Sequence, residues 1–251
     1  MFRPKTALLC GASRGIGAAV LSLLPQIYPL QKIFAVSRSG TVDVDIDEIY
    51  ARFGCRIFPI QCNMVQEEDL ERLYTSIQEH TRQLQLVINT VGFLSNEHIQ
   101  PEKNLRSVSP ENLAYSIQRN TWPALGLTKH LRPLLRHKEP TRMVFFSARV
   151  GSVCDNGLGG WYSYRISKAA LNMAVRCISI ELGRNNPNLC CYSYHPGTVD
   201  TDLSRPFTRR YTKNAIFSAQ QAAEYVLNVL AARNEEDNGG FFDWKGEPIP
   251  F

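Results

Sequence analysis

"TALLCGASRGIG", residues 6–17, carries an unbroken apolar run straight into a turn with three glycines. The run from Thr6 to Cys10 reads as a strand buried on both faces, because alternation is absent and the segment is short. "GIGAAVLSLLPQ" follows and reads as a helix. Gly11, Gly15 and Gly17 are not spaced as G-x-G-x-x-G, yet the same physics applies. Glycines permit a tight turn, let backbone approach a pyrophosphate, and let the helix begin close to the sheet. The free N–H groups of that helix start then face an anion. Such a turn after the first strand of an α/β chain points to a dinucleotide.

Outward from this unit the pattern repeats. "KIFAVSRS", "RIFPIQCN", "LQLVINTVG", "RMVFFSA" and "LCCYSYHPG" read as strands, and "GGFFDW" as a last short one. Between them lie helical stretches. "QEEDLERLYTSIQEHT" places Leu70, Leu73, Tyr74 and Ile77 at helical spacing, with acids in its first turn. Residues 110–137 are helical with an interruption or bend expected near Pro123 and Pro133. Residues 161–184 form a long helix, and "SAQQAAEYVLNVLAAR" another with Ser218 as its N-cap. Apolar strands alternating with helices imply an α/β fold, a single doubly wound parallel sheet (Rossmann fold) with helices on both faces. No linker or repeat divides the chain, so residues 1–251 are expected to form one domain. The least regular stretch, 198–217, contains "SRPFTRRYTKN" and reads as a substrate lid. Its Arg205, Arg209, Arg210 and Lys213 either keep a loop solvated or attract an acidic ligand.

Composition excludes other classes. The 251 residues are 44% hydrophobic and 20% charged, ordinary for a globular protein. No stretch is long and apolar enough to cross a bilayer, and the opening "MFRPKTALLCGASRG" lacks the pattern of a signal peptide. The seven cysteines include no C-x-x-C pair, and the five histidines have no ligand spacing, so neither a disulfide framework nor a metal is expected. A reducing cytoplasm is the expected location. A net charge of +5 without a basic, aromatic-interleaved stripe argues against nucleic acid and suits an anionic small ligand.

The second strand ends in "VSRSG". A site selective for NAD places an acid there. Ser37, Arg38 and Ser39 stand there instead, and a guanidinium suits the 2′-phosphate of NADP. Arg14, in the glycine turn, can approach the same phosphate; taken singly, each arginine also reads as a solvated side chain. Asn63 and Asn89 end the third and fourth strands, at the edge where ligands of open sheets bind, or serve as turn formers. Ser147 ends the fifth strand. "WYSYRISKAALN", residues 161–172, sets Tyr164 and Lys168 one helical turn apart. That spacing alone fits a surface pair equally well. Trp161, Tyr162 and Tyr192 read as packing aromatics, and His195 as structural.

Taken together, "CGASRGIG", "NTVG", Ser147, "YRISK" and "HPGTVDTD" resemble the short-chain dehydrogenase/reductase family over essentially the whole chain, most closely its sniffer and C-factor type carbonyl reductases. The resemblance implies hydride transfer between NADP(H) and a carbonyl or alcohol. It makes Tyr164 the general acid and base, Lys168 its tuning cation and ribose ligand, Ser147 the hydrogen-bond donor to the substrate oxygen, and Asn120 the anchor of a water beside Lys168. A free phenol ionises near about pH 10, and a neighbouring ammonium is expected to lower that value. For the cofactor it implies Gly11, Ser13, Arg14, Gly15, Ile16 and Gly17 in the first turn, then Ser37 and Arg38. Asn63, Met64, Asn89, Val91 and Gly92 follow, with Tyr164 and Lys168, and Pro196, Gly197, Val199 and Thr201 complete the set. Three positions depart from the family pattern. Cys10 replaces a threonine, Thr90 and Val91 make a bulkier wall, and Asn63 stands for an aspartate. Alternative activities are epimerisation or dehydration on the same fold, or a dinucleotide-binding signalling protein of the C-factor type with little turnover. A homodimer is expected through the long helices, although Leu171, Ala174, Val175 and Ile178 on one of them are explained by packing on the sheet alone.

Overall fold

The computed structural model describes residues 2–207 and 216–251. Seven strands run in chain order as β1 (Thr6–Cys10), β2 (Lys32–Ser37), β3 (Arg56–Gln61), β4 (Leu86–Asn89), β5 (Thr141–Phe146), β6 (Leu189–His195) and β7 (Phe241–Asp243). The helices are α1 (Gly15–Ile27), α2 (Ile46–Phe53), α3 (Glu67–Gln78), α4 (Pro110–Asn120), α5 (Trp122–Leu135), α6 (Tyr162–Gly183) and α7 (Ala219–Ala232).

The strands form one parallel sheet in the order β3-β2-β1-β4-β5-β6-β7. The strand order reverses between β1 and β4, whose register pairs Cys10 with Asn89. This switch point opens a crevice outside the C-terminal strand ends. Alternate residues of β1 supply two cores. Ala7 and Leu9 pack with Leu21 and Leu24 of α1 and with Val226 and Leu230 of α7. Leu8 and Cys10 pack with Leu70 of α3, Leu131 of α5 and Leu171 of α6.

Local outcomes differ from the sequence reading at some positions and bear it out at others. Helix α2 lies in a stretch to which the sequence patterns assign no element. Asp45 caps it by accepting from the Glu48 amide, and Gly54 ends it in the left-handed region at φ 66°. The expected break at Pro123 occurs, since α4 stops at Asn120 and Pro123 sits in the first turn of α5. No break occurs at Pro133, which α5 carries through to Leu135. Ser218 caps α7 as expected and forms a reciprocal box with Gln221.

Those four apolar residues of the long helix pack on the sheet, the reading that needs no partner. Leu171, Ala174, Val175 and Ile178 are buried, and three of them lie in the core beneath α6. The outward apolar positions of that helix are Ile166, Met173 and Ile180. The spacing of the first set is helical, but periodicity does not say which stripe of a long helix meets the sheet.

Candidate active site

A cavity of about 780 Å³ lies along the C-terminal strand ends at the switch point. Its floor is the glycine turn. Gly11 and Gly15 hold φ values of 86° and 56°, which L side chains rarely adopt. At Gly17 a Cβ atom would sit 2.0 Å from the Gly11 carbonyl oxygen, so the helix can start this close only with glycine. Thr90, just after β4, ties the ends of the two central strands together, because its Oγ1 donates to the Cys10 carbonyl at 2.9 Å.

Most residues expected to hold a dinucleotide do line this cavity: beside the glycines, Ser13, Arg14, Ile16, Arg38, Asn63, Met64, Val91, Gly92, Pro196, Gly197, Val199 and Thr201. Two do not. Ser37 is buried and its Oγ donates to the Thr41 carbonyl at 3.0 Å. As the last residue of β2 it points away from the cleft that its neighbour Arg38 faces, by strand alternation. Asn89 is also buried, with Oδ1 accepting from the Val91 amide at 3.0 Å. Its side chain closes the turn after β4. Arg14 reaches Asp202 at 3.0 Å, and both side chains are exposed. Arg38 is exposed at the cavity rim.

Ser147, Tyr164 and Lys168 line one part of the cavity together. Ser147 follows β5 and its amide donates to the Tyr194 carbonyl at 2.8 Å. Its Oγ is buried and has no hydrogen-bond partner. A buried orphan hydroxyl is costly unless a ligand completes it. The Lys168 ammonium lies 5.8 Å from the Tyr164 ring centroid and donates to the Phe146 carbonyl at 2.9 Å. The expected lowering of the phenol by the ammonium is not what this arrangement gives. Burial pushes the Tyr164 phenol up, above its ordinary value of 10, and pushes Lys168 down to about 7. Desolvation penalises both charged forms, and for Lys168 it weakens the very charge that was to act on Tyr164.

Asn120 is buried and does not itself line the cavity. Its Oδ1 accepts from the Phe93 amide at 2.8 Å, and its Nδ2 donates to the Phe93 carbonyl and to Ser167 Oγ, each at 2.9 Å. The side-chain amide therefore ties the segment after β4 to α6. A Cβ built on Gly92 would lie 3.4 Å from Lys168 Nζ and 3.6 Å from Asn120 Oδ1, so glycine keeps the space between those groups open.

Sequence reasoning missed part of the wall. Phe93, Asn96, Tyr115 and Arg119 line the cavity, and the Arg119 guanidinium stacks on Tyr115 at 3.3 Å. Their only signal is proximity in sequence to "NTVG" and Asn120. His195, read as structural, also lines the cavity. Burial and then Arg149 lower its pKa to about 4 against the pull of Asp243, so it is neutral at pH 7. The proposed lid is described only in part. Its two ends are pinned together, since Val199 bridges Phe217 and the Phe217 amide donates to Thr198 at 2.8 Å. Arg205 pairs with Asp200 and Asp202, whereas Arg209, Arg210 and Lys213 lie outside the described residues.

The donor set and the glycine cradle fit a nicotinamide dinucleotide: Gly11 and Gly17 leave no room for a side chain beneath a pyrophosphate, and Ser147 Oγ lacks a partner. Comparison with known proteins agrees. The profile of the family described as short chain dehydrogenase matches residues 5–212. C-signal of Myxococcus xanthus is 34% identical over 147 residues, 59% of this chain and 83% of that protein. A carbonyl reductase from chicken fatty liver, solved with NADPH bound, covers 100% of both chains with a TM-score of 0.84 at 24% identity. The carbonyl reductase Sniffer of D. melanogaster covers 98% of this chain and 99% of its own, with a TM-score of 0.83 at 24% identity. At these identities the two structures speak for the fold.

Proposed function

The chain belongs to the short-chain dehydrogenase family of oxidoreductases, and we propose that it is an NADPH-dependent reductase of a small carbonyl compound, or the reverse alcohol dehydrogenase. One observation carries this reading: the buried, unpartnered Ser147 hydroxyl shares a cavity with Tyr164 and Lys168. A bound nicotinamide would supply the hydride. The chain's own residues do the rest. Ser147 Oγ donates to the substrate carbonyl oxygen and fixes its position. Tyr164 gives that oxygen its proton in reduction and takes it back in oxidation. Lys168, next to Gly92 and Asn120 Oδ1, returns the proton to the phenol by way of a water in that open space. Arg38 at the rim takes the 2′-phosphate of the cofactor, and Arg14 joins it on leaving Asp202.

A regulatory protein with little turnover is the other class of reading, and the likeness to C-signal raises it. The assembled Ser147, Tyr164 and Lys168 favour turnover, because nothing in dinucleotide binding alone requires an orphan hydroxyl in the same cavity as a phenol and an ammonium.

The test is NADPH oxidation across a panel of aldehydes, ketones and quinones, including 4-nitrobenzaldehyde and menadione. At least one member is turned over, and Ser147→Ala lowers kcat for it by about 100-fold without loss of NADPH binding. A panel without turnover refutes the reductase reading.

The segment 198–217 acts as the lid over the substrate. Its basic residues attract an acidic group or cover the cofactor phosphates. Amides there exchange more slowly with NADPH and a substrate analogue bound; equal exchange in both states contradicts closure. Residues 1–251 act as one domain. A homodimer through α6 would use Ile166, Met173 and Ile180.

A further inference from the structure

Glu102 lies in the segment between β4 and α4 and is 3% exposed, yet the reaction proposed above does not use it. Burying a carboxylate costs free energy unless its lone pairs are taken up. Both oxygens are taken up by one residue. Oε2 accepts from the Ser163 amide at 3.1 Å, and Oε1 accepts from the Ser163 hydroxyl. The Glu102 carbonyl accepts from the Trp161 amide at 2.5 Å. A single residue from a distant segment therefore grips both sides of Tyr162, at the start of the helix that carries Tyr164.

The backbone gripped there is unusual. Trp161 holds φ 52° and ψ 41°, and among the described residues it is the one non-glycine residue with positive φ. Gly159 and Gly160 precede it with φ values of 63° and 65°. Glycine takes up positive φ freely, so the strain falls on Trp161, an L residue held where its side chain is disfavoured. The same conformation sets the Trp161 ring edge-on to Tyr164 at 6.2 Å and to Phe207 at 5.2 Å.

Tyr164 is held from its other side as well. Its carbonyl accepts from Ser167 Oγ at 2.8 Å, and that hydroxyl in turn accepts from Asn120 Nδ2. Asn120 fixes the turn after Tyr164, and Glu102 fixes the turn before it.

We propose that Glu102 is a positioning residue for Tyr164: through Ser163 and Trp161 it sets the start of α6, and with it the place of the phenol beside Ser147. This rests on the reading of Tyr164 as proton donor. Displacing a reacting group by about 1 Å can cost about 100-fold in rate.

The test compares Glu102→Ala, Glu102→Gln and Tyr164→Phe in the full chain. The readouts are single-turnover NADPH oxidation with the panel carbonyl turned over fastest, NADPH affinity by fluorescence titration, and hydrogen exchange at the amides of 161–164. Glu102→Ala lowers the single-turnover rate about 10- to 100-fold with NADPH affinity kept, and speeds exchange at those amides with and without NADPH. Glu102→Gln, which keeps the volume and one acceptor, falls between it and the unmodified protein; where the alanine variant does not fold, the glutamine variant decides by the same readouts. A rate per NADPH site equal to that of the unmodified protein overturns the proposal, even with a lowered melting temperature. A rate loss without faster exchange at 161–164 overturns it too. If Tyr164→Phe keeps the full rate, the proton-donor reading itself fails. If Tyr164→Phe is inactive while both Glu102 variants are fully active, only the present proposal falls.

Discussion

Tyr164→Phe should lower kcat by roughly 1,000-fold and leave NADPH affinity as it was, because the substitution removes one oxygen from a packed site. The expectation follows from what each group can do. Ser147 Oγ has a proton to share in a hydrogen bond but no means to lose it at neutral pH. Lys168 Nζ is anchored on the Phe146 carbonyl at 2.9 Å and lies 5.8 Å from the phenol ring centroid, placed to resupply the phenol rather than to meet the substrate oxygen itself. His195 is neutral at pH 7, but its Nδ1 is buried without a partner. That leaves the phenol as the group to protonate an alkoxide. Burial raises its pKa above the ordinary value, so it stays protonated at neutral pH, the form that reduction needs. The sign for pH follows. The acid form is lost as pH rises through the raised value, so reduction fades on the alkaline side, and Tyr164→Phe abolishes that limb along with the rate. Lys168→Ala should weaken both cofactor binding and turnover. Stopped-flow oxidation of NADPH with the best panel carbonyl measures all of this, and equal rates for Tyr164→Phe and the unmodified protein would sink the assignment.

The second large effect is on cofactor choice. NADPH should be preferred over NADH by at least about tenfold in kcat/KM, which needs only about 1.4 kcal/mol of differential binding. Arg38 stands at the cavity rim after β2, where an acid would accept from the ribose hydroxyls of NADH and repel a 2′-phosphate. Its planar fork of donors suits that phosphate. Arg14 is tied to Asp202 at 3.0 Å, but both side chains are exposed, and such pairs contribute at most about 1 kcal/mol. A phosphate can draw Arg14 away from Asp202. Arg38→Asp removes an attraction and adds a repulsion, so the preference should vanish or reverse. Steady-state kinetics with both cofactors decides it. Comparable efficiency with NADPH and NADH in the unmodified protein would mean that the ribose site lies elsewhere.

Much of this molecule is legible in its amino-acid order alone. The run from Thr6 to Gly17 implies strand, turn and helix because each residue type there has few conformational options: an apolar run of that length must be covered on both faces, and Gly17 admits no side chain against the Gly11 carbonyl. The alternation of apolar runs with helical spacing then requires a parallel sheet, since parallel strands need crossovers. The spacing of Tyr164 and Lys168 sets their shared helix face. Tertiary structure alone decides what those groups become. Whether Lys168 lowers the phenol or is itself discharged depends on how much water reaches each, and sequence does not report desolvation. Ser37 and Asn89 sit in the right motifs but turn inward, because the facing of a single side chain at a strand end is set by register and by turn hydrogen bonds. Leu171 and Val175 have the periodicity of a contact stripe, but which stripe meets the sheet follows from where α6 lies on it. The grip of Glu102 on Ser163 joins residues 61 positions apart, and such a contact exists only once the fold has brought the segment before α4 to the start of α6. Local residue preferences specify local geometry; burial, and which distant groups satisfy a buried charge, are properties of the packed whole.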